Sequence, residues 1–209
     1  PRTGKYEFNN LFGNKHRSVE IKDNSLKNKV YYLVSGHGGP DPGARCTQCV
    51  NTLCEDEYAY DVVLRLARQL QSRGAVTHVI IQDKNDGIRD DEYLKCDYDE
   101  TCLGNKIPLN QKKRLEQRAS AINALYKKHK SQGITDQMAI VIHIDSNAKN
   151  TSQDVYFYHH KTSKSSKKLA KTLQETFRTK YNHFQKGRGY KGFVKYRGLY
   201  MINNTLPTC

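Results

Sequence analysis

The sequence predicts an α/β fold, with a single domain built on a largely parallel, twisted sheet of about five or six strands and helices on both faces. Short apolar, β-branched runs alternate along the chain with longer segments whose apolar residues recur at helical spacing. Strands and helices that alternate in this way favour a parallel sheet with right-handed crossovers. A chain of 209 residues has a suitable length for one such domain.

In the first half of the chain, residues 1–28 are polar and are predicted as an N-terminal arm with a short strand at 18–21. The apolar run at 29–35 is typical of a buried strand. The glycines and prolines of residues 36–43 predict a loop. Residues 55–73 are predicted to be a helix because their apolar side chains share one face. That face comprises Ala59, Val62, Val63, Leu66 and Leu70.

In the second half, the periodicity predicts further strands and helices around one long excursion. The segment at about 83–108 is polar and acidic and is predicted to be an insertion that runs over the surface. Loops of that length are usually functional or mobile. It is interpreted as a lid, a regulatory element or a disulfide-pinned loop through Cys96 and Cys102. The remaining elements are strands at 76–81, 138–144, 155–158 and 199–202 and helices at 109–130 and 166–181.

Charge is the strongest feature of the composition, with 35 Lys and Arg residues against 21 Asp and Glu and a net charge of +14. A field of this sign favours polyanionic partners, although a solvated surface explains it equally well. No run reaches the roughly 18 apolar residues of a membrane span. The chain starts at a proline and shows no signal-peptide core, so we expect that the front of a longer precursor has been removed.

Six cysteines are present, and an even number is compatible with disulfides in an exported protein. Cys46, Cys49 and Cys54 lie close enough in sequence to form part of a metal clip. No histidine follows at the spacing of a zinc finger, so disulfides or inert thiols are favoured over a structural metal. The sequence does not choose a pairing.

Two histidines lie at or near the ends of predicted strands, where sites form in open α/β sheets. His37 follows the first buried strand in a glycine-rich loop, and His143 lies near the end of the third. Zinc hydrolases typically use three protein ligands, so a carboxylate is expected as well. Glu55 shares the apolar face of its helix, whereas Glu57 is predicted to face solvent. The alternative for Glu55 is a favourable interaction with the helix dipole.

The segment 35–44, SGHGGPDPGA, resembles the opening motif of the zinc-dependent N-acetylmuramoyl-L-alanine amidases, the amidase type 3 family. A second segment also matches, because Leu115, Arg118 and Asn123 reproduce the family's Leu-x-x-Arg-x-x-x-x-Asn helix. Ile142 and His143 then match the strand that carries the second histidine. The resemblance runs from about residue 29 to the C-terminus, so residues 29–209 are predicted to be an amidase-like catalytic domain.

The resemblance implies that His37, Glu55 and His143 hold Zn²⁺. It implies hydrolysis of the amide bond between N-acetylmuramic acid and L-alanine, with peptidoglycan or muropeptides as partners. It also implies a periplasmic, cell-surface or extracellular location. Arg118 and Asn123 are expected to brace the helix against the loop. The resemblance assigns no substrate-binding residue.

Two departures from the family's pattern concern the end of the site. Ile144 and Asp145 follow the second histidine where the family usually has Ala-Asn, and an Asn comes only at 147. The family's acid/base Glu lies a few residues after a Pro, and here the chain stops two residues after Pro207. We therefore expect the catalytic Glu beyond Cys209 and a truncated C-terminal end. If the Glu is natively absent, the chain is expected to be an inactive relative.

Three competing hypotheses remain. One is a non-catalytic peptidoglycan-binding relative that lacks the acid/base. Another is a nucleic-acid-binding protein, suggested by the Gly/Arg/Tyr-rich stretch at 186–197. This hypothesis is disfavoured because it leaves the GHGG motif unexplained. A third is a zinc peptidase that acts on another amide.

Overall fold

The computed structural model describes residues 5–46, 49, 51–145 and 154–209. The residues divide into two compact units, Pro1–Ser146 and Asn147–Cys209. The helices are α1 (Gly13–His16), α2 (Glu55–Gln71), α3 (Gln111–Ser131), α4 (Lys164–Phe184) and α5 (Tyr200–Asn204). The strands are β1 (Tyr6–Phe8), β2 (Ser18–Glu20), β3 (Lys29–Ser35), β4 (Arg45–Cys46), β5 (Leu53–Cys54), β6 (Val76–Val79), β7 (Ile81–Gln82), β8 (Thr101–Cys102), β9 (Asn105–Lys106), β10 (Asp136–Ile142), β11 (Phe157–His159) and β12 (Val194–Tyr196).

A three-stranded parallel sheet forms the centre of the first unit, with β3 between β10 and β6. Strand β3 is buried along almost its whole length, which explains its nearly continuous apolar sequence. Tyr31 and Leu33 pack on one face in a core cluster with residues of α2. On the other face Tyr32 stacks on His78, which contacts His129 of α3. The predicted α/β class with helices on both faces is thus observed in this unit.

The predicted single sheet of five or six strands is wrong in its extent. Among the residues that the structure describes, the strands form five small sheets, and only β10, β3 and β6 form a parallel sheet of three. Strands β11 and β12 pair in parallel with each other in the second unit. The predicted strand at 199–202 is the helix α5, which buries Met201 and Ile202. A short apolar run fits either structure, so periodicity alone could not distinguish them.

Helix α2 begins at Glu55, as predicted, and ends at Gln71 rather than at 73. Its buried face differs from the predicted one, because Val62 is 41% exposed while Tyr60 and Leu64 are buried. In the N-terminal segment, β1 and β2 form an antiparallel hairpin, and Phe12 and Val19 are buried in the α2 core cluster. The division of the chain at residue 28 stays a prediction.

The insertion contains no helix, and its strands β8 and β9 form a small antiparallel sheet with β7, which precedes it. Disulfides join Cys46 to Cys49 and Cys54 to Cys96. The insertion is therefore bonded to the residue that precedes α2. Cys102 is reduced and buried, so the expectation that it helps to pin the loop by a disulfide is wrong.

In the second unit, helix α4 spans more residues than the predicted 166–181, because Ser163 caps it by accepting the backbone N–H of Ser166. The strand predicted at 155–158 is observed as β11. Its partner β12 lies in the Gly/Arg/Tyr-rich stretch at 186–197. No helix in the described part of the chain is long and apolar enough to cross a membrane.

Candidate metal centre

The parallel pairing of β3 with β10 brings His37 and His143 to the same edge of the sheet. Ile142 lies opposite Ser35 in the register, and the backbone N–H of Gly36 donates to the carbonyl of Ile142 at 2.8 Å. The two imidazole rings follow these strand ends, with centroids 5.0 Å apart and planes at 82°. A Cβ at Gly36 would lie 2.1 Å from the ring of His143, so only glycine allows this approach.

Glu55 completes a cluster with the two histidines. It is the first residue of α2, and its side chain is 3% exposed. Its Oε1 lies 3.0 Å from Nδ1 of His143, and its Oε2 lies 3.5 Å from Nε2 of His37. One candidate ligand atom from each of the three residues lies within 4.8 Å of the other two. The structure thus brings together the three residues that the sequence pattern selected.

The carboxylate of Glu55 is held ionised. Burial acts to raise its pKa, but hydrogen bonds from His143 and the backbone N–H of Ala44, with the charges of the two histidines, lower it to about 2. The backbone N–H of Ile144 also donates to Oε1 at 3.1 Å. Glu55 is therefore an anion at neutral pH, as a metal-binding carboxylate must be.

Asp41 and Arg114 support His37 from the loop side. Asp41 Oδ2 lies 3.2 Å from Nδ1 of His37 and accepts a hydrogen bond from Arg114 at 2.8 Å. The histidine nitrogen is buried and lacks the alignment of a true hydrogen bond, so this contact is electrostatic. Burial acts to raise the pKa of Asp41, but His37 and Arg114 lower it. Sequence reasoning missed Arg114, which lies one helical turn before the recognised Arg118.

Arg118 fastens α3 to the histidine loop, as the resemblance predicts for a brace. Its guanidinium is buried and donates to the carbonyl of Gly36 at 3.0 Å. That carbonyl belongs to the residue between the end of β3 and His37, so the contact fixes the start of the loop.

Glu57 does not face solvent, and that prediction is wrong. It is 1% exposed, pairs with Arg89 at 3.0 Å and accepts the backbone N–H of Asp97 at 2.9 Å. Both partners belong to the insertion, which covers this side of α2. Helical periodicity could not show this, because it assumes that the face opposite the core is open to water.

Glu100 is a second buried carboxyl that sequence reasoning missed. It accepts the backbone N–H of Gly39 at 2.7 Å and so supports the GHGG loop from behind. Burial and the charges of Asp56 and Glu57 raise its pKa to about 8, although hydrogen bonds from backbone N–H groups oppose the shift.

Of the residues that follow the second histidine, Asp145 is exposed, and residue 147 lies outside the described residues.

Comparisons with known proteins agree with the resemblance. The family described as N-acetylmuramoyl-L-alanine amidase matches residues 32–207. No curated protein sequence matches the chain.

Solved amidase structures are similar to the chain in fold. The N-acetylmuramoyl-L-alanine amidase of Clostridium difficile 630 is 16% identical with a TM-score of 0.53, over 86% of this chain and 75% of that chain. The CwlD amidase of Clostridioides difficile, solved in complex with the GerS lipoprotein, is 17% identical with a TM-score of 0.55, over 86% and 78%. AmiC2 of Nostoc punctiforme is 16% identical with a TM-score of 0.50, over 88% and 77%. The family match covers most of the chain, and the chain therefore belongs to the N-acetylmuramoyl-L-alanine amidase family, amidase type 3.

Proposed function

We propose that this chain is a zinc-dependent amidase that hydrolyses the bond between N-acetylmuramic acid and L-alanine in peptidoglycan or muropeptides. The observation that carries the proposal is the cluster of His37, Glu55 and His143 at one edge of the sheet. Membership of the amidase family supplies the reaction class. An extracellular, periplasmic or cell-surface location follows from the substrate, and two disulfides fit an oxidising compartment.

The donor set fits zinc. Two imidazoles and one carboxylate are a ligand combination of catalytic zinc sites, which leave a fourth position for water or substrate. The side chain of His143 is 42% exposed and that of His37 is 24% exposed, while Glu55 is buried beneath them. The cluster is therefore closed on the protein side and open on the solvent side, as a catalytic site requires.

The residues of the chain have separate tasks in this proposal. When bound, zinc supplies Lewis-acid polarisation of the scissile carbonyl and activation of a water nucleophile near neutral pH. Glu55 contributes the negative charge that balances the ion. Asp41 lies beside Nδ1 of His37 and orients that ring, the usual task of a carboxylate behind a ligating histidine. Proton transfer needs a general acid/base, and no described residue is given that role.

Zinc content, measured by elemental analysis on purified protein, tests the site first. We expect one zinc per chain in the unmodified protein and little or none after His37→Ala, His143→Ala or Glu55→Gln. Glu57→Gln is the matched control, because that carboxylate already has Arg89 and the Asp97 N–H as partners. Absence of zinc from folded, metal-supplied protein would refute the proposal. Loss of zinc in Glu57→Gln but not in Glu55→Gln would show that Glu57, and not Glu55, is the carboxylate ligand.

Analysis of the products formed from defined muropeptides tests which bond is cleaved. The expected products are a free lactyl carboxyl on muramic acid and a peptide with a new N-terminal L-alanine. Cleavage between two amino acids would instead identify a zinc peptidase. Zinc binding and peptidoglycan retention without cleavage would favour the non-catalytic binding relative.

A further inference from the structure

The insertion places several carboxylates together beside α2, where the hydroxyl of Tyr60 contacts the backbone of Asp83. Asp83, Asp86 and Asp97 each offer a carboxylate oxygen, and these three atoms lie within 4.8 Å of one another. Asp99 lies next to them, since it accepts a hydrogen bond from the side chain of Asn85. Four carboxylates in so small a volume repel each other unless a cation joins them.

Two of these carboxylates have a buried oxygen without a hydrogen-bond partner. Asp83 is 1% exposed, and its Oδ1 accepts the backbone N–H groups of Asn85 and Asp86, while its Oδ2 has no partner. Oδ1 of Asp97 is likewise buried and unpaired. A buried carboxylate oxygen left in this way is costly unless an ion or water satisfies it.

Protein cations compensate the cluster only in part. Arg89 pairs with Asp86 and with Glu57. Asp83, Asp97 and Asp99 have no ion pair among the residues that the structure describes. Burial raises the pKa of Asp83 and of Asp97, and the charges of neighbouring aspartates raise both further. The carboxylate cluster therefore carries more negative charge than the protein's own cations neutralise.

We propose that Asp83, Asp86 and Asp97 bind a Ca²⁺ ion that closes the base of the insertion. The donors are all oxygens, without imidazole or thiolate, and such sets select hard cations over zinc. Calcium takes six to eight oxygens in adaptable geometry, so three carboxylates and a few waters suffice, whereas magnesium demands a strict octahedron. Asp86 and Asp97 are partly exposed, which gives the ion a route from solvent.

The position of the site suggests what the ion does. Asp83 and Asp86 lie just after β7, and Asp97 lies just before β8, so one ion would join both ends of a segment that contains no helix or strand. Glu57 of α2 contacts the same segment through Asp97 and Arg89. Calcium would thus hold the insertion against the helix that carries Glu55. The neighbouring group of Asp56, Glu57 and Glu100 is wholly buried and offers an ion no such route from solvent.

Calorimetric titration of chelator-treated, zinc-reloaded protein with CaCl₂ tests the proposal, with thermal unfolding as a second readout. We expect one calcium per chain, with a dissociation constant of about 10⁻⁶ to 10⁻³ M, and a higher Tm in calcium. Asp83→Asn and Asp97→Asn keep the side-chain shape and should each weaken binding at least about ten-fold. Asp91→Asn is the matched control, because Asp91 is an exposed carboxylate of the same insertion.

The outcomes separate the calcium site from the zinc site. The double variant His37→Ala/His143→Ala should lose zinc and keep calcium. The proposal would be overturned if the unmodified protein binds no calcium. It would also be overturned if Asp83→Asn and Asp97→Asn bind calcium as tightly as the unmodified protein does. Tighter binding of magnesium or zinc than of calcium would overturn the identity of the ion. Near-ultraviolet circular dichroism of each variant verifies that a loss of binding is not a loss of folding.

Discussion

Gly36 lies where the two histidine-bearing strand ends approach each other. An added Cβ would come within 2.1 to 2.4 Å of three atoms of the His143 ring, and Arg118 holds the carbonyl of the same residue. We therefore expect Gly36→Ala to displace His143 and to abolish stoichiometric zinc binding while the protein stays folded. Elemental analysis together with a thermal melt measures both effects.

Gly198→Ala is a suitable control for this variant, because its Cβ would meet only side-chain atoms at 3.2 Å or more. That substitution should leave the zinc content unchanged. Full zinc occupancy in Gly36→Ala would mean that His143 is not a ligand of the zinc.

Glu100 provides a pH-dependent prediction at the residue scale. Its pKa is raised from 4.5 to about 8 in the folded protein, so between these values the folded state binds more protons than the unfolded state. The burial of Glu100 therefore costs stability progressively as pH rises from about 4.5 to 8. Glutamine mimics the protonated acid and can still accept the Gly39 N–H. We expect Glu100→Gln to match the parent at pH 5 and to exceed its free energy of unfolding by roughly 1–3 kcal/mol at pH 8.

Denaturant unfolding at several pH values measures this difference. A constant difference between the two proteins across the range would show that Glu100 is ionised at pH 5 as well, and the raised pKa would be wrong. Glu116→Gln, a change of the same charge at a solvent-facing position of α3, controls for the net charge.

At the scale of elements, the disulfide between Cys54 and Cys96 joins the start of α2 to the insertion across 42 residues of sequence. Cross-links that close longer loops remove more entropy from the unfolded chain. We expect Cys96→Ser to lower the free energy of unfolding by about 2–4 kcal/mol. The disulfide between Cys46 and Cys49 spans only three residues, so Cys49→Ser should cost about 2 kcal/mol less.

Unfolding measured with and without reductant separates the effect of losing the disulfide from the effect of replacing the cysteine side chain. In reductant the parent protein should fall to the stability that Cys96→Ser has in reductant, because neither protein then has a disulfide, and the variant should change less because only Cys46–Cys49 remains in it to be broken. Equal losses for the two serine variants would contradict the loop-length argument.

Sequence patterns could predict the elements that carry the site, because their signals are local. The apolar run of β3, the glycines after it and the apolar stripe of α2 indicated that His37 and Glu55 lie on the inner side of one edge. Local signals could not show what the insertion covers. The burial of Glu57, the role of Glu100 and the ion pair of Arg89 all depend on a segment without periodicity. The extent of the sheet was likewise unpredictable, since strand pairing is a long-range property.

At the scale of the whole molecule, positive charge is distributed unevenly between the two units. Residues 147–209 contain thirteen Lys and Arg against two acidic residues, which accounts for most of the net charge of +14. Part of this charge follows one face of α4, where lysines recur at helical spacing and are exposed. They are Lys164, Lys167, Lys168 and Lys171.

A face of this kind suits a polyanion, and the alternative is a solvated surface without a partner. We expect the protein to bind heparin, used as a model anionic polysaccharide, with an affinity that falls steeply as salt rises. The triple variant Lys167→Gln/Lys168→Gln/Lys171→Gln should elute from a heparin column at clearly lower salt. The matched control is Lys112→Gln/Lys113→Gln/Lys127→Gln on α3, which removes the same charge from exposed positions of the other unit. If binding depends on the α4 face, only the first variant elutes earlier. Equal shifts in both variants would mean that net charge alone determines retention, and the lysines of α4 would then be a solvated surface.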